Sequence, residues 1–194
     1  MIDRFIEGNK KWRETEFTEQ REYYHALASQ QKPCVLWIGC SDSRVAPERI
    51  TNAKAGQIFV HRNIGNIVPR YDWNFATVLE YALNHLKVKD VVICGHADCG
   101  ACKALDANLE HDHYIPFWLS NAKRAKEQID SRHPAPTDEA GKKARMEEII
   151  KENVRIQMEH LKEYPIVKAA VADGRVQLHT LYFDLDTGEL GTID

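Results

Sequence analysis

Three side chains with an affinity for soft metal ions stand just beyond two apolar runs. Cys40 opens the segment Cys40-Ser41-Asp42-Ser43-Arg44, directly after Cys34-Val35-Leu36-Trp37-Ile38-Gly39. His96 and Cys99 lie in His96-Ala97-Asp98-Cys99-Gly100, directly after Asp90-Val91-Val92-Ile93-Cys94-Gly95. Two thiolates and one imidazole make a Cys2His set, an arrangement that holds zinc and leaves the fourth tetrahedral position to water, as a catalytic site requires. Sulfur and nitrogen donors also select zinc over magnesium or calcium, which prefer oxygen. The two segments converge on one ion if their strands end at the same edge of an open α/β sheet, where ligands bind.

The surrounding pattern supplies such a sheet. Short continuous apolar runs at 34–39, 57–62 and 90–95 read as parallel strands covered on both faces. Between the second and third, Phe75, Val78, Leu79, Ala82, Leu83 and Leu86 recur three and four apart, the period of an amphipathic helix. Residues 114–161 read as largely helical, interrupted by a polar loop at 133–138, and a late strand at 176–185 meets Asp186-Thr187-Gly188, a turn that closes an antiparallel edge hairpin. The fold class is α/β, a mostly parallel sheet with an antiparallel edge strand and flanking helices. The first 32 residues read as a polar helical arm that cannot bury itself, suited to a subunit interface, and residues 1–194 as a single domain.

Composition excludes several function classes. With 43% hydrophobic and 28% charged residues the chain reads as an ordinary soluble globular protein. Its 26 basic residues are outnumbered by 29 acidic ones and scattered, so no nucleic-acid footprint is expected. The N-terminus is charged from its third residue and no apolar run is long enough to span a bilayer, which gives the expectation of a cytoplasmic protein without membrane contact. Five cysteines, an odd number, favour metal or thiol chemistry over a disulfide framework.

The pair C-S-D-S-R and G-H-x-x-C-G, with the run Phe59-Val60-His61-Arg62-Asn63-Ile64-Gly65-Asn66, resembles the β-class carbonic anhydrases over roughly residues 34–105. The resemblance implies Zn2+ on Cys40, His96 and Cys99, with Asp42 and Arg44 as a catalytic carboxylate and guanidinium dyad. It implies reversible hydration of carbon dioxide to bicarbonate and a proton, by attack of zinc hydroxide whose proton Asp42 accepts in a hydrogen bond. Released by Arg44, Asp42 would itself become a metal ligand and close the site. The chain is similar to the bicarbonate-regulated, closed-site subset at Trp37, Arg62 and Tyr182, which implies a non-catalytic bicarbonate pocket there and inhibition by bicarbonate and low pH. A homodimer or homotetramer is also implied. One departure is Ala101, where the family often has a second glycine.

Other readings of the same residues are open. Cys34 and Cys94, inside strands, read as buried apolar side chains. Cys99-Gly100-Ala101-Cys102 reads as a C-x-x-C exchanger, but that leaves Cys40, Asp42, Arg44 and His96 unexplained, and Cys102 fits packing better. Cys40 and Arg44 enclose too few amides for a phosphate loop. Asp42 with Arg44 can be a mere loop-stabilising ion pair, Trp37 and Tyr182 mere core, and His61, His111 and His113 surface or core filler. Hydrolysis of sulfur analogues of carbon dioxide on the same zinc, or an idle zinc scaffold, are the alternative functions.

Overall fold

The structure, a computed structural model, describes residues 1–132 and 134–194. His133, the first residue of the loop expected at 133–138, lies outside the described residues. The chain divides into two units, residues 1–32 and 33–194. The first is helical, with α1 (Ile2–Trp12), a π-helical turn (Arg13–Phe17) and α2 (Arg21–Ser29), and none of these residues is buried. Its apolar content is local: Tyr24 meets Trp12 at 5.1 Å and Phe17 at 5.3 Å between ring centroids. Ile2, Phe5 and Ile6 remain exposed.

The second unit runs β1 (Val35–Cys40), α3 (Pro47–Ile50), β2 (Ile58–Asn63), α4 (Trp73–Glu80) with a π-helical continuation (Tyr81–Leu86), and β3 (Asp90–His96). It continues through α5 (Gly100–Lys103), α6 (Ile115–Leu119), α7 (Lys123–Arg132), α8 (Glu139–Glu163), α9 (Pro165–Ala172), β4 (Gln177–Phe183) and β5 (Leu190–Thr192). The sheet order is β2-β1-β3-β4-β5, parallel except for the last pair. The chain leaves β1 for β2 on one side and returns to β3 on the other. Connections diverge between β1 and β3, the switch point where open α/β sheets hold ligands.

Local chemistry accounts for the elements. Asp72 caps α4 by accepting from the Phe75 N–H at 2.7 Å. The expected stripe then buries Phe75, Leu79, Ala82 and Leu83, and a left-handed Lys87 (φ 55) ends the turn. Asp138 caps α8 through the Gly141 N–H at 2.9 Å. Side chains in a parallel sheet alternate between faces. Leu36, Ile38, Val91 and Ile93 share the larger cluster with Leu79, Val154 and Leu161 from the helices. Trp37, Val92, Cys94 and Phe183 share the other face with Val45. Gly95 lets α8 approach, since a Cβ there would stand 2.6 Å from a Val154 methyl; Gly95→Ala should cost about 1–3 kcal/mol by overpacking.

One cysteine differs from expectation. Cys34 is exposed and precedes β1, because its backbone is used by the loops on either side. Its N–H donates to the Gln57 carbonyl at 3.0 Å and its carbonyl accepts from Lys89 at 2.8 Å. Cys94 is buried within β3, as read from the apolar run, and burial pushes its thiol up to about 12.

Candidate metal centre

Cys40 and His96 are the last residues of β1 and β3, and Cys99 is the N-cap of α5. The switch point therefore delivers two strand ends and one helix start to one place. The Cys40 and Cys99 sulfurs are 4.0 Å apart, and the candidate ligand atoms of Cys40, His96 and Cys99 all lie within 4.8 Å of one another. All three residues are buried. Two Zn–S bonds of about 2.3 Å at a tetrahedral angle place sulfurs about 3.8 Å apart, so the pair needs almost no movement.

The imidazole is oriented from behind. His96 Nδ1 lies 2.8 Å from the Ala97 carbonyl, to which it donates, so Nε2 presents a lone pair. That Nε2 is buried and has no hydrogen-bond partner among the described residues, an arrangement costly unless an electrophile takes the lone pair. The thiols give the same indication. A hydrogen bond with Cys99, then burial, pushes Cys40 up to about 12. A hydrogen bond with Cys102, then burial, pushes Cys99 up to about 12. Two such sulfurs become thiolates near neutral pH only beside a cation. The residues present fit zinc.

The loop after β2 covers Cys40. Gly65, at φ 80, donates its N–H to the Cys40 sulfur at 3.4 Å, and a Cβ there would meet the Ala101 methyl at 2.8 Å. The family-like R-N-I-G-N run thus serves a ligand through backbone. Asn63 folds the turn by bonding the Ile67 N–H and carbonyl, each at 2.8 Å. Buried amides of α8 hold the turn from below. Asn153 donates to the Gly65 carbonyl at 3.1 Å, and Gln157 donates to Asn153 at 2.9 Å and accepts from the Val68 N–H at 2.8 Å. Asn153 and Gln157, which support this turn, are residues that sequence reasoning did not single out; their signal was polar residues at spacing four on a helix with an apolar face.

Asp42 approaches the same point, its Oδ2 3.8 Å from His96 Nε2. Arg44 grips the carboxylate with both edges of one fork, Nε to Oδ1 at 3.0 Å and Nη2 to Oδ2 at 2.8 Å, while its own N–H bonds Oδ1 at 3.0 Å. These bonds hold the Asp42 carboxyl well below the usual carboxylate range. Asp42 therefore sits beside the three-residue group, on Arg44. Arg44 is also held by Asp98, a residue that sequence reasoning did not single out. A groove of about 800 Å³ is lined by Ser41, the residue after Cys40, and by Asn63 at the end of β2, and is walled by Ile64, Tyr114, Phe117 and Trp118.

Trp37, Arg62 and Tyr182 are not brought together. Trp37 and Arg62 are on one face, Arg62 pairing in register with Gly39. Tyr182 pairs with Gly95 and points to the opposite face, where it packs on both larger clusters with Lys151 4.8 Å from its ring centre. The residue on Trp37's face is Phe183. Trp37 keeps a buried indole N–H without a partner among the described residues, directly over the missing Cβ of Gly39. Arg62 donates to the carbonyls of Cys40 at 2.8 Å and Asp42 at 2.5 Å. His61 is core, its ring edge-on to Phe75 at 5.2 Å. Cys102 is buried in α5, as packing requires.

Comparison with known proteins agrees with this geometry. The family profile described as carbonic anhydrase matches residues 35–190. A carbonic anhydrase of Pseudomonas aeruginosa is 35% identical over 97% of this chain and 86% of its own length. Among solved structures, the β-carbonic anhydrase CcaA superposes with a TM-score of 0.92 at 31% identity, covering 100% of this chain and 95% of that one. One of two tetrameric β-carbonic anhydrases from Sordaria macrospora gives 0.92 at 33%, covering 99% and 96%. The chain belongs to the β-class carbonic anhydrase family, and it is an enzyme of that class.

Proposed function

We propose that the chain catalyses the reversible hydration of carbon dioxide to bicarbonate and a proton, with zinc held by Cys40, His96 and Cys99. A zinc ion held there would supply Lewis acidity, lowering the pKa of water. The chain's residues do the rest. Asp42, kept ionised by Arg44, is an acceptor-only group and takes a hydrogen bond from the attacking water, which turns a lone pair toward the substrate carbon. Arg44 fixes the direction of that acceptor through its bidentate grip. Ala97 fixes the His96 tautomer, and Gly65 stabilises negative charge on the Cys40 sulfur.

The observation that carries this reading is the buried, partnerless His96 Nε2 facing two thiols with an arginine-held carboxylate 3.8 Å away. Metal analysis with carbon dioxide hydration assays on wild type and Asp42→Asn tests it. One zinc per chain, turnover, and a loss in the variant are expected; a metal-free preparation with full turnover overturns it.

Inhibition by bicarbonate belongs to the same proposal, with Trp37 and Arg62 alone. The free indole N–H and the neighbouring guanidinium suit a small anion. Arg62 bonds the carbonyls of Cys40 and Asp42, so an anion competing for it would loosen the loop that carries Asp42. Inhibition at low pH belongs to the same proposal; the group that titrates is not Asp42, whose carboxyl Arg44 holds well below the usual carboxylate range. Unchanged bicarbonate inhibition in Arg62→Ala would remove the idea. A homodimer or homotetramer is supported by the tetrameric relative and by exposed Tyr71, Trp73, Tyr114 and Phe117, with residues 1–32 at a subunit interface. Cytoplasmic location rests on cysteines that are all free, and among the described residues no helix is long and apolar enough to cross a membrane.

A further inference from the structure

The Arg44 guanidinium has two sides, and only one belongs to Asp42. On the other, Nη1 donates to Asp98 Oδ2 at 3.1 Å and Nη2 donates to the Asp98 carbonyl at 3.2 Å. Asp98 lies between His96 and Cys99 and takes a left-handed backbone, φ 58, which is uncommon for a residue with a Cβ. Its second carboxylate oxygen is paired with Lys103, from the end of α5. Two carboxylates and two cations thus alternate in one chain of contacts, Lys103 to Asp98 to Arg44 to Asp42.

The donors do not compete. Asp42 takes Nε and one N–H of Nη2, whereas Asp98 takes Nη1 and faces Nη2 from the other edge. A planar fork fixed along two edges loses both rotation and sliding. Arg44 needs that restraint, because its side chain is 47% exposed at the wall of a cavity of about 540 Å³. An arginine so exposed and held by one carboxylate alone gains little from the pair.

We propose that Asp98 is a positioning residue for the hydration reaction: it holds Arg44 from behind so that Arg44 keeps Asp42 aimed, with Lys103 fixing Asp98 in turn. This rests on the roles of Asp42 and Arg44 proposed above. Asp98 has no direct part in the chemistry. Its contribution passes wholly through Arg44, so removing Arg44 should cancel it.

A double-mutant cycle on the zinc-loaded enzyme tests this. Asp98→Ala should lower kcat/KM about ten-fold, a modest misplacement on the scale of catalytic geometry, while zinc stays at one per chain. Asp98→Asn retains a carbonyl acceptor for Nη1 and should recover most of the loss. In an Arg44→Ala background, Asp98→Ala should cost nothing further, because the two act as one unit. Independently of turnover, the Arg44 Nε–H nuclear magnetic resonance signal should broaden and exchange faster in Asp98→Ala. Lys143→Ala, in the wall of the same cavity, should leave every readout unchanged. Additive losses, zinc loss in Asp98→Ala, or an unmoved Arg44 signal would overturn the proposal while leaving Asp42 and Arg44 in their roles. An Arg44→Ala enzyme with undiminished activity would instead strike at those roles themselves.

Discussion

Two histidine and carboxylate pairs stand at opposite ends of the same sheet. At one end His179 Nε2 lies 2.7 Å from Asp90 Oδ1, both side chains more than a third exposed. At the other, His96 Nε2 lies 3.8 Å from Asp42 Oδ2, with the imidazole buried and the carboxylate already bound to Arg44. The first pair is saturated: each group satisfies the other, and water reaches both. The second is kept apart by a third residue that occupies the carboxylate, so the ring nitrogen has no hydrogen-bond partner among the described residues and lies within 4.8 Å of two sulfurs. Reactivity here comes from denying neighbouring groups each other, and residue type alone would not separate the two ends.

The comparison breaks first on the histidines. His96→Ala should abolish zinc retention and lower hydration by at least about a thousand-fold, since the nucleophile depends on the ion. His179→Ala should change kcat/KM less than about two-fold, because an exposed pair contributes about 1 kcal/mol or less and touches no reacting atom. Stopped-flow hydration with metal analysis compares them, and similar losses at both ends would erase the distinction.

The thiols sharpen it through pH. Cys40 and Cys99 are pushed up to about 12 from an ordinary 9.0, so both are protonated in the metal-free protein near neutrality. Zinc must displace both protons, and its apparent affinity should rise by up to about 100-fold per pH unit, read by competition with a chelator at several pH values. The sign for stability is the reverse. With folded values above unfolded ones, the thiols' contribution in metal-free protein is full below about pH 9 and is lost as pH rises toward about 12. Thermal melts of metal-free protein should fall across that window, and zinc-loaded protein should not follow.

The carboxylates give the next smaller effect. Asp42→Asn keeps the shape but loses an acceptor-only group, and kcat should drop roughly 10- to 100-fold with zinc retained. Asp90→Asn should leave kcat unchanged and shift stability by about 1 kcal/mol at most, measured by denaturant unfolding.

Much of the site was legible because strand ends announce themselves. The apolar runs placed Cys40 and His96 at a rim, and ligand type supplied the metal. Cys34 was not legible, since a one-residue error in a strand start changes an inward residue into an exposed one. Tyr182 was misplaced for the same reason: a strand reverses its face at every residue, so Phe183 stands on the Trp37 face and Tyr182 across the sheet. The brace at Asp98 depends on a left-handed backbone between two ligands, a conformation that no local pattern of side chains announced.

The amides that α8 sends beneath residues 65–68 give that segment an unusual mechanical status. Although it is a connection between a strand and a helix, its backbone is fastened to the interior of the longest helix, at Asn153 and Gln157. Such a segment opens only when the helix opens, so its amides should exchange with solvent as slowly as those of the sheet. An ion seated beneath it would then be released by unfolding of the domain and not by local breathing.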